Sequence, residues 1–225
     1  MFTIRSFILI AFALILSLAG QGYSATNLYY DPTLFSTATS GYSMLMEDFE
    51  GIAVTGDQNS TGVDSMVFSD FSVSSGLMSL KVLDDPFIPG RIPQNTGNHA
   101  ISGSNFLSAD TNQTDVADYM LLSFYQPMYV FGLYLIDIEN GGTVTINSQD
   151  FSVSSTANGG DTFFGVVSDT PFTSVYLDMG NTDSNWSIDT VQYAAAPVVP
   201  EPVSSLLFVI GGSVLAGRRF MRKRK

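Results

Sequence analysis

Residues 119–138 read YMLLSFYQPMYVFGLYLIDI, and their pattern decides the fold class. Two apolar runs, Tyr119–Tyr125 and Tyr129–Ile138, stand either side of Pro127. Neither keeps a 3.6-residue period, and both are rich in the aromatic and aliphatic side chains that strands favour. Asn140-Gly141 follows, a dipeptide that tolerates positive φ and suits a tight hairpin turn. Working outward, the same signals predict further strands at Met44–Glu50, Val63–Val73, Leu77–Leu83, Thr143–Asn147, Phe151–Ser155, Thr162–Val167, Thr173–Met179 and Ser187–Tyr193, with a second turn at Asn158-Gly159. No stretch between residues 26 and 196 holds a helical period for three turns, so no helix is expected there. Ten or so strands joined by short polar turns imply an all-β domain. The expected form is a two-sheet antiparallel sandwich, jelly-roll-like, with a barrel as the alternative. Residues 84–118 are rich in Asn, Gly, Ser, Thr and Asp and read as a long loop region of the kind that carries binding surfaces.

Composition narrows the chemistry. The 225 residues contain no cysteine, which excludes a disulfide scaffold, a thiolate nucleophile and a cysteine-ligated metal. A single histidine, His99, excludes any site that needs two imidazoles. Between residues 26 and 196 only Lys81 and Arg91 are basic against 20 acids, a balance of 2 − 20 = −18. Such a body repels nucleic-acid phosphates and anionic lipid, so no nucleic-acid partner is expected.

The ends have a different character. Residues 1–25 read as a signal peptide, with Arg5 ahead of the twelve-residue apolar run Phe7–Leu18 and small residues after it. A cut is expected after Ala19, with Ser17 three residues before it, or near Ser24 and Ala25, where Tyr23 is unfavourable for a cut after Ala25. At the other end Val203–Gly217 carries no charge. As a helix it covers about 22 Å of a ~30 Å hydrocarbon core, and snorkelling of Arg218 and Arg219 closes most of the gap. The basic tail Arg218, Arg219, Arg222, Lys223, Arg224 and Lys225 should stay cytoplasmic by the positive-inside rule. The domains expected are thus a signal peptide at 1–25, an acidic β ectodomain at 26–196 and a terminal segment at 197–225 with a single transmembrane helix at 203–217.

Just before that helix stand Val199, Pro200, Glu201 and Pro202, an extended tetrapeptide with two amide donors missing. The order Val-Pro-Glu-Pro, short apolar helix, basic cluster resembles the PEP-CTERM sorting signal of Gram-negative bacteria, also described as an ice-binding-protein C-terminal domain. The resemblance implies recognition of Pro200, Glu201 and Pro202 by an exosortase, a membrane transpeptidase. It further implies an inner-membrane-anchored precursor, a final place at the cell surface, outer envelope or extracellular matrix, and an association with exopolysaccharide and biofilm. Within the ectodomain, Asp48-Phe49-Glu50-Gly51, Phe131-Gly132-Leu133, Phe163-Phe164-Gly165-Val166 and Ile188-Asp189-Thr190-Val191 resemble exported bacterial β-sandwich domains distantly similar to carbohydrate-binding jelly rolls.

Candidate chemistry is sparse. His99 lies in a loop-like Gly-Asn-His-Ala setting without a nucleophile elbow, and no catalytic residue is assigned. Calcium, which takes six to eight oxygens, suits the acids best, and Glu50 and Asp189 are the expected ligands because the first and last strands of a jelly roll often pair. Exposed rings would stack on sugars, and Trp186 and Tyr119 are the ligand-binding candidates, with Tyr29, Tyr30 and Tyr42 behind them. These features suit an exported, non-catalytic structural or adhesive protein. A calcium-stabilised carbohydrate-binding module and a secreted hydrolase are the alternatives.

Overall fold

The computed structural model describes residues 25–55, 62–75, 80–84, 99–110, 119–179 and 185–196. The expected signal peptide, sorting motif, transmembrane helix and basic tail lie outside these residues. No helix among the described residues is long and apolar enough to cross a membrane.

The described chain is dominated by antiparallel strands: β1 (Thr26–Tyr29), β2 (Leu45–Glu47), β3 (Ser65–Val67), β4 (Phe71–Ser74), β5 (Leu80–Asp84), β6 (Asn105–Asp110), β7 (Tyr119–Ile136), β8 (Gly142–Ile146), β9 (Gln149–Val153), β10 (Asp161–Asp178) and β11 (Asn185–Ala194). One helix, α1 (Pro32–Ala38), interrupts them. The expectation of no helix is therefore corrected. Its signal was local: Asp31 caps the helix by accepting from the Thr33 and Leu34 amides at 2.7 and 3.1 Å, and Pro32 fills the first helical position. Seven residues are too few to show a period.

The two runs that flank Pro127 are one 18-residue strand, β7, and the runs around Pro171 are likewise one strand, β10. They pair with each other along both lengths, and the register shifts between Val167 and Phe172 and again before Ser174. Each proline falls at the irregular part of the ladder, where a missing amide donor is tolerated. All strands consequently belong to one hydrogen-bonded sheet in place of two separate ones. Beyond the bend the order is β9-β8-β10-β7-β4-β3, and before it β1-β10-β7-β11-β6-β5, with β2 also on β11.

The sheet folds across itself. Phe71 of β4 and Tyr193 of β11, from opposite halves, meet with ring centroids 5.6 Å apart, and Phe124 packs on Tyr193 at 5.4 Å. One buried apolar cluster spans both halves, from Met120, Leu122, Val144 and Leu177 to Leu107, Leu133, Ile188 and Val191. A second, smaller cluster lies under α1, where Phe35 covers Val130, Phe163 and Ala194. This explains the change of pattern along β7. Residues 119–124 alternate between half-buried and buried, with one face wet, whereas residues 130–133 are buried consecutively because helix and core cover both faces.

Two further expectations change. Val63–Val73 is a hairpin of β3 and β4, turned at Phe68–Asp70, with the Phe68 amide donating to the Phe71 carbonyl at 2.8 Å. The expected loop region 84–118 contains β6, a strand buried from Asn105 to Ala109 between β5 and β11.

Candidate functional site

The half of the sheet beyond the bend exposes one face. On β7, Tyr119, Leu121 and Ser123 point away from the core, and on β10 Ser174, Tyr176 and Asp178 do the same. Thr143 and Thr145 of β8, Asp150 and Ser152 of β9, and Ser72 and Ser74 of β4 complete it, each alternating with a buried neighbour. Strand register aligns these side chains into a row. Asp150 opposes Thr145, Thr145 opposes Tyr176, Tyr176 opposes Leu121, Leu121 opposes Ser74 and Ser74 opposes Ser65. Six strands at ~4.8 Å make this row about 24 Å long.

Tyr176 in this row and Tyr119 in the adjacent one, opposite Asp178, form a platform. The rings of Tyr119 and Tyr176 lie 5.2 Å apart with 32° between their planes, and both are half-buried on the solvent side. The Tyr176 hydroxyl is held in its neutral form by partial burial and by the nearby Asp178. Thr145 donates to Asp150 at 2.6 Å, which fixes one flank. Two adjoining rings among hydroxyls and carboxylates offer an apolar surface beside hydrogen-bonding groups, the two elements that a sugar ring needs.

The other ligand-binding candidate does not belong there. Trp186 is fully buried between β6 and β7, in the core cluster, so it cannot meet a polymer. It opposes Ala109 of β6, and its strand is internal to the sheet. Nothing in the sequence singles out Tyr176, because a tyrosine in an alternating strand is as often turned to the core; only its ring contact with Tyr119 across β10 and β7 distinguishes it.

Glu50 and Asp189 do converge, on the loop 101–105. Asp189 accepts from the Ile101 and Ser102 amides at 2.7 and 2.9 Å, and from the Thr190 amide at 2.5 Å. Glu50 accepts from the Ser104 and Asn105 amides, both at 2.6 Å, and from the Ser104 hydroxyl at 3.2 Å. Gly103 sits between them at φ +62°, and a Cβ there would stand 2.3 Å from the Glu50 carboxyl carbon. Asp189 is fully buried, and burial pushes its carboxyl up to about 6 against the opposing pull of its three amide bonds. Phe49 and Thr190, each next to one of the acids, hold positive φ values of 61° and 53°.

This arrangement does not fit the calcium expected of it. Calcium requires converging oxygens. Here the groups aimed at the carboxylates are hydrogen-bond donors, backbone N–H groups at both and the Ser104 hydroxyl at Glu50, and no group of three or more Asp, Glu or His side chains that could hold a metal occurs among the described residues. The pair is a clasp that fixes the loop. His99, at the start of the same loop, stands 3.8 Å from Asp161.

No protein-family profile matches the chain, and no curated protein matches it. Among solved structures, the chain is similar to the K2 cleaved adhesin domain of Lys-gingipain at 13% identity and a TM-score of 0.44, covering 68% of this chain and 99% of that one. It is also similar to CBM29_1, a family 29 carbohydrate-binding module from Piromyces equi, at 12% identity and a TM-score of 0.36, covering 68% and 92%. A third is TmCBM61 in complex with beta-1,4-galactotriose, at 13% identity and a TM-score of 0.34, covering 56% and 90%.

Proposed function

We propose that this chain is an exported, exosortase-sorted protein of the cell envelope or exopolysaccharide matrix, adhesive in role and without catalysis of its own. Its ectodomain holds neutral polysaccharide on the open sheet face. The observation that carries this reading is the Tyr119–Tyr176 pair, 5.2 Å apart on an open sheet face that also carries hydroxyl and carboxylate side chains. A linear polymer laid along the row stacks on the rings and bonds to Thr145, Asp150 and the serines. The excess of acids over bases favours a neutral polymer over an anionic one. Sorting is supported by the sequence order Val199-Pro200-Glu201-Pro202, apolar segment, basic tail.

Two measurements test the proposal. The exported protein should be retained by neutral insoluble polysaccharides such as β-glucan, galactan or mannan, and released by soluble oligosaccharides of the same linkage; retention by none of them refutes the adhesive role. Replacing Pro200 and Pro202 with alanine should leave residues 203–225 attached and the protein in the inner membrane of an exosortase-bearing host. Normal release of that variant refutes the sorting role.

A further inference from the structure

Ala25 and Asp169 bond each other twice. The Ala25 amide nitrogen donates to the Asp169 carboxylate at 3.2 Å, and the Asp169 amide donates to the Ala25 carbonyl at 3.1 Å. Together they close the end of edge strand β1, whose register then runs from Thr26 opposite Ser168 to Tyr29 opposite Gly165. A carboxylate aimed at a backbone nitrogen on an exposed strand end is a placement that suits an ammonium better than an amide, because charge roughly doubles the strength of such a bond.

We infer that signal peptidase cuts between Ser24 and Ala25 and that the ammonium group so created pairs with Asp169. The inference rests on the export reading above. Hydrolysis of the Ser24–Ala25 peptide bond consumes one water, leaves the new carboxylate on Ser24 and puts the new amine on Ala25. Residues Gly22 and Ser24 would occupy the third and first positions before the cut, both small, as the enzyme requires. The two other cuts that the sequence offers do less. A cut after Ala25 places Tyr23 at the third position and removes the residue that bonds Asp169. One after Ala19 leaves Gly20–Ser24 ahead of β1 and keeps Ala25 as an amide. Only the cut after Ser24 retains both Ala25 bonds and puts the charge where the carboxylate already lies.

N-terminal sequencing of the full chain recovered after export tests the position. Ala-Thr-Asn-Leu-Tyr is expected. A start at Gly20 or Thr26 overturns the inference and leaves export standing, while an intact Met1 overturns both. The pairing is read separately, from the rate at which an acylating reagent labels the α-amine near pH 7. An ordinary α-amine titrates at about 8, and a partnered one holds its proton longer. Asp169→Asn should raise the labelling rate of Ala25 about threefold or more relative to the parent, followed by mass spectrometry of the N-terminal peptide. Equal rates in the two proteins overturn the pairing.

Discussion

Gly132 of β7 and Gly165 of β10 stand directly opposite each other, and the Phe35 ring lies over both. A Cβ on Gly165 would meet the Phe35 ring at 2.6 Å and Phe163 at 2.8 Å; one on Gly132 would meet Phe35 at 2.9 Å. The gap left by two missing side chains is what seats α1 on the sheet. Gly165→Ala should therefore cost about 1–3 kcal/mol through overpacking, and Phe35→Ala about 3–5 kcal/mol through the cavity it leaves. The two should couple: Gly165→Ala combined with Phe35→Ala should cost less than the sum of the singles. Urea unfolding of the four proteins checks this, and strict additivity would show that Phe35 does not occupy the glycine seat.

Asp189 makes stability depend on pH with a definite sign. Its carboxyl titrates near 6 when folded, whereas an unfolded aspartate titrates near 3.9, a figure of about 4 for this purpose. Between those limits the folded state keeps a proton that the unfolded state has lost. Its contribution is fully present below pH ~4 and is lost as pH rises to about 6, a change of about 3 kcal/mol. Asp189→Asn cannot titrate. The stability gap between parent and variant should narrow by roughly that amount from pH 4 to pH 7, whatever the other acids contribute to both. A gap that stays constant over the range contradicts the buried-carboxyl account.

The clasp geometry also sets an expectation for calcium. With amide donors on both Glu50 and Asp189, millimolar calcium and a strong chelator should leave the thermal midpoint of the exported protein within error of each other. A rise of several degrees with calcium would mean that loop 101–105 turns its amides away to admit the ion.

How far the sequence could be read depended on the burial of each face. Strands with one wet face, such as residues 119–125 and 173–179, announce themselves by alternation, and their existence was legible. Their continuity was not, because Pro127 and Pro171 look like strand ends when only local pattern is seen. β6 was hidden among polar letters: Ser108, Asn105 and Asp110 in its run conceal a strand that the neighbours on both sides bury. Glu50 and Asp189 are expected together only as members of first and last strands, whereas what they share is loop 101–105, which comes from mid-sequence and which nothing local foretells.

Neither Asn140-Gly141 nor Asn158-Gly159 joins two paired strands, and the two-residue hairpin among the described residues is Asn147-Ser148, between β8 and β9, with φ values of 52° and 61°. Two consecutive positive φ angles belong to a type I′ turn, for which Asn-Gly is the preferred pair. Serine pays for its Cβ in this conformation, so Ser148→Gly should stabilise the protein by about 0.5–1 kcal/mol. Thermal unfolding measures it, and a loss of stability would show that the turn is held by the serine side chain instead.

The tyrosine platform makes a graded prediction about binding. Tyr176 touches Tyr119 on one side and faces Thr145 across the ladder, so its removal disturbs both the ring pair and the hydroxyl row. Tyr176→Ala should weaken retention on the polysaccharide that binds the parent by about tenfold or more, the effect of a central aromatic contact worth upwards of about 1.4 kcal/mol. Tyr119→Ala should do nearly the same, and the double variant should lose little further, since each ring needs the other to form a continuous surface. Trp186→Phe provides the contrast. It trims a fully buried ring in the core cluster and should lower the unfolding midpoint while leaving the affinity of the remaining folded protein unchanged. Affinity electrophoresis on the parent and the four variants distinguishes the outcomes. If Trp186→Phe reduced binding and Tyr176→Ala did not, the ligand would lie elsewhere than on this face.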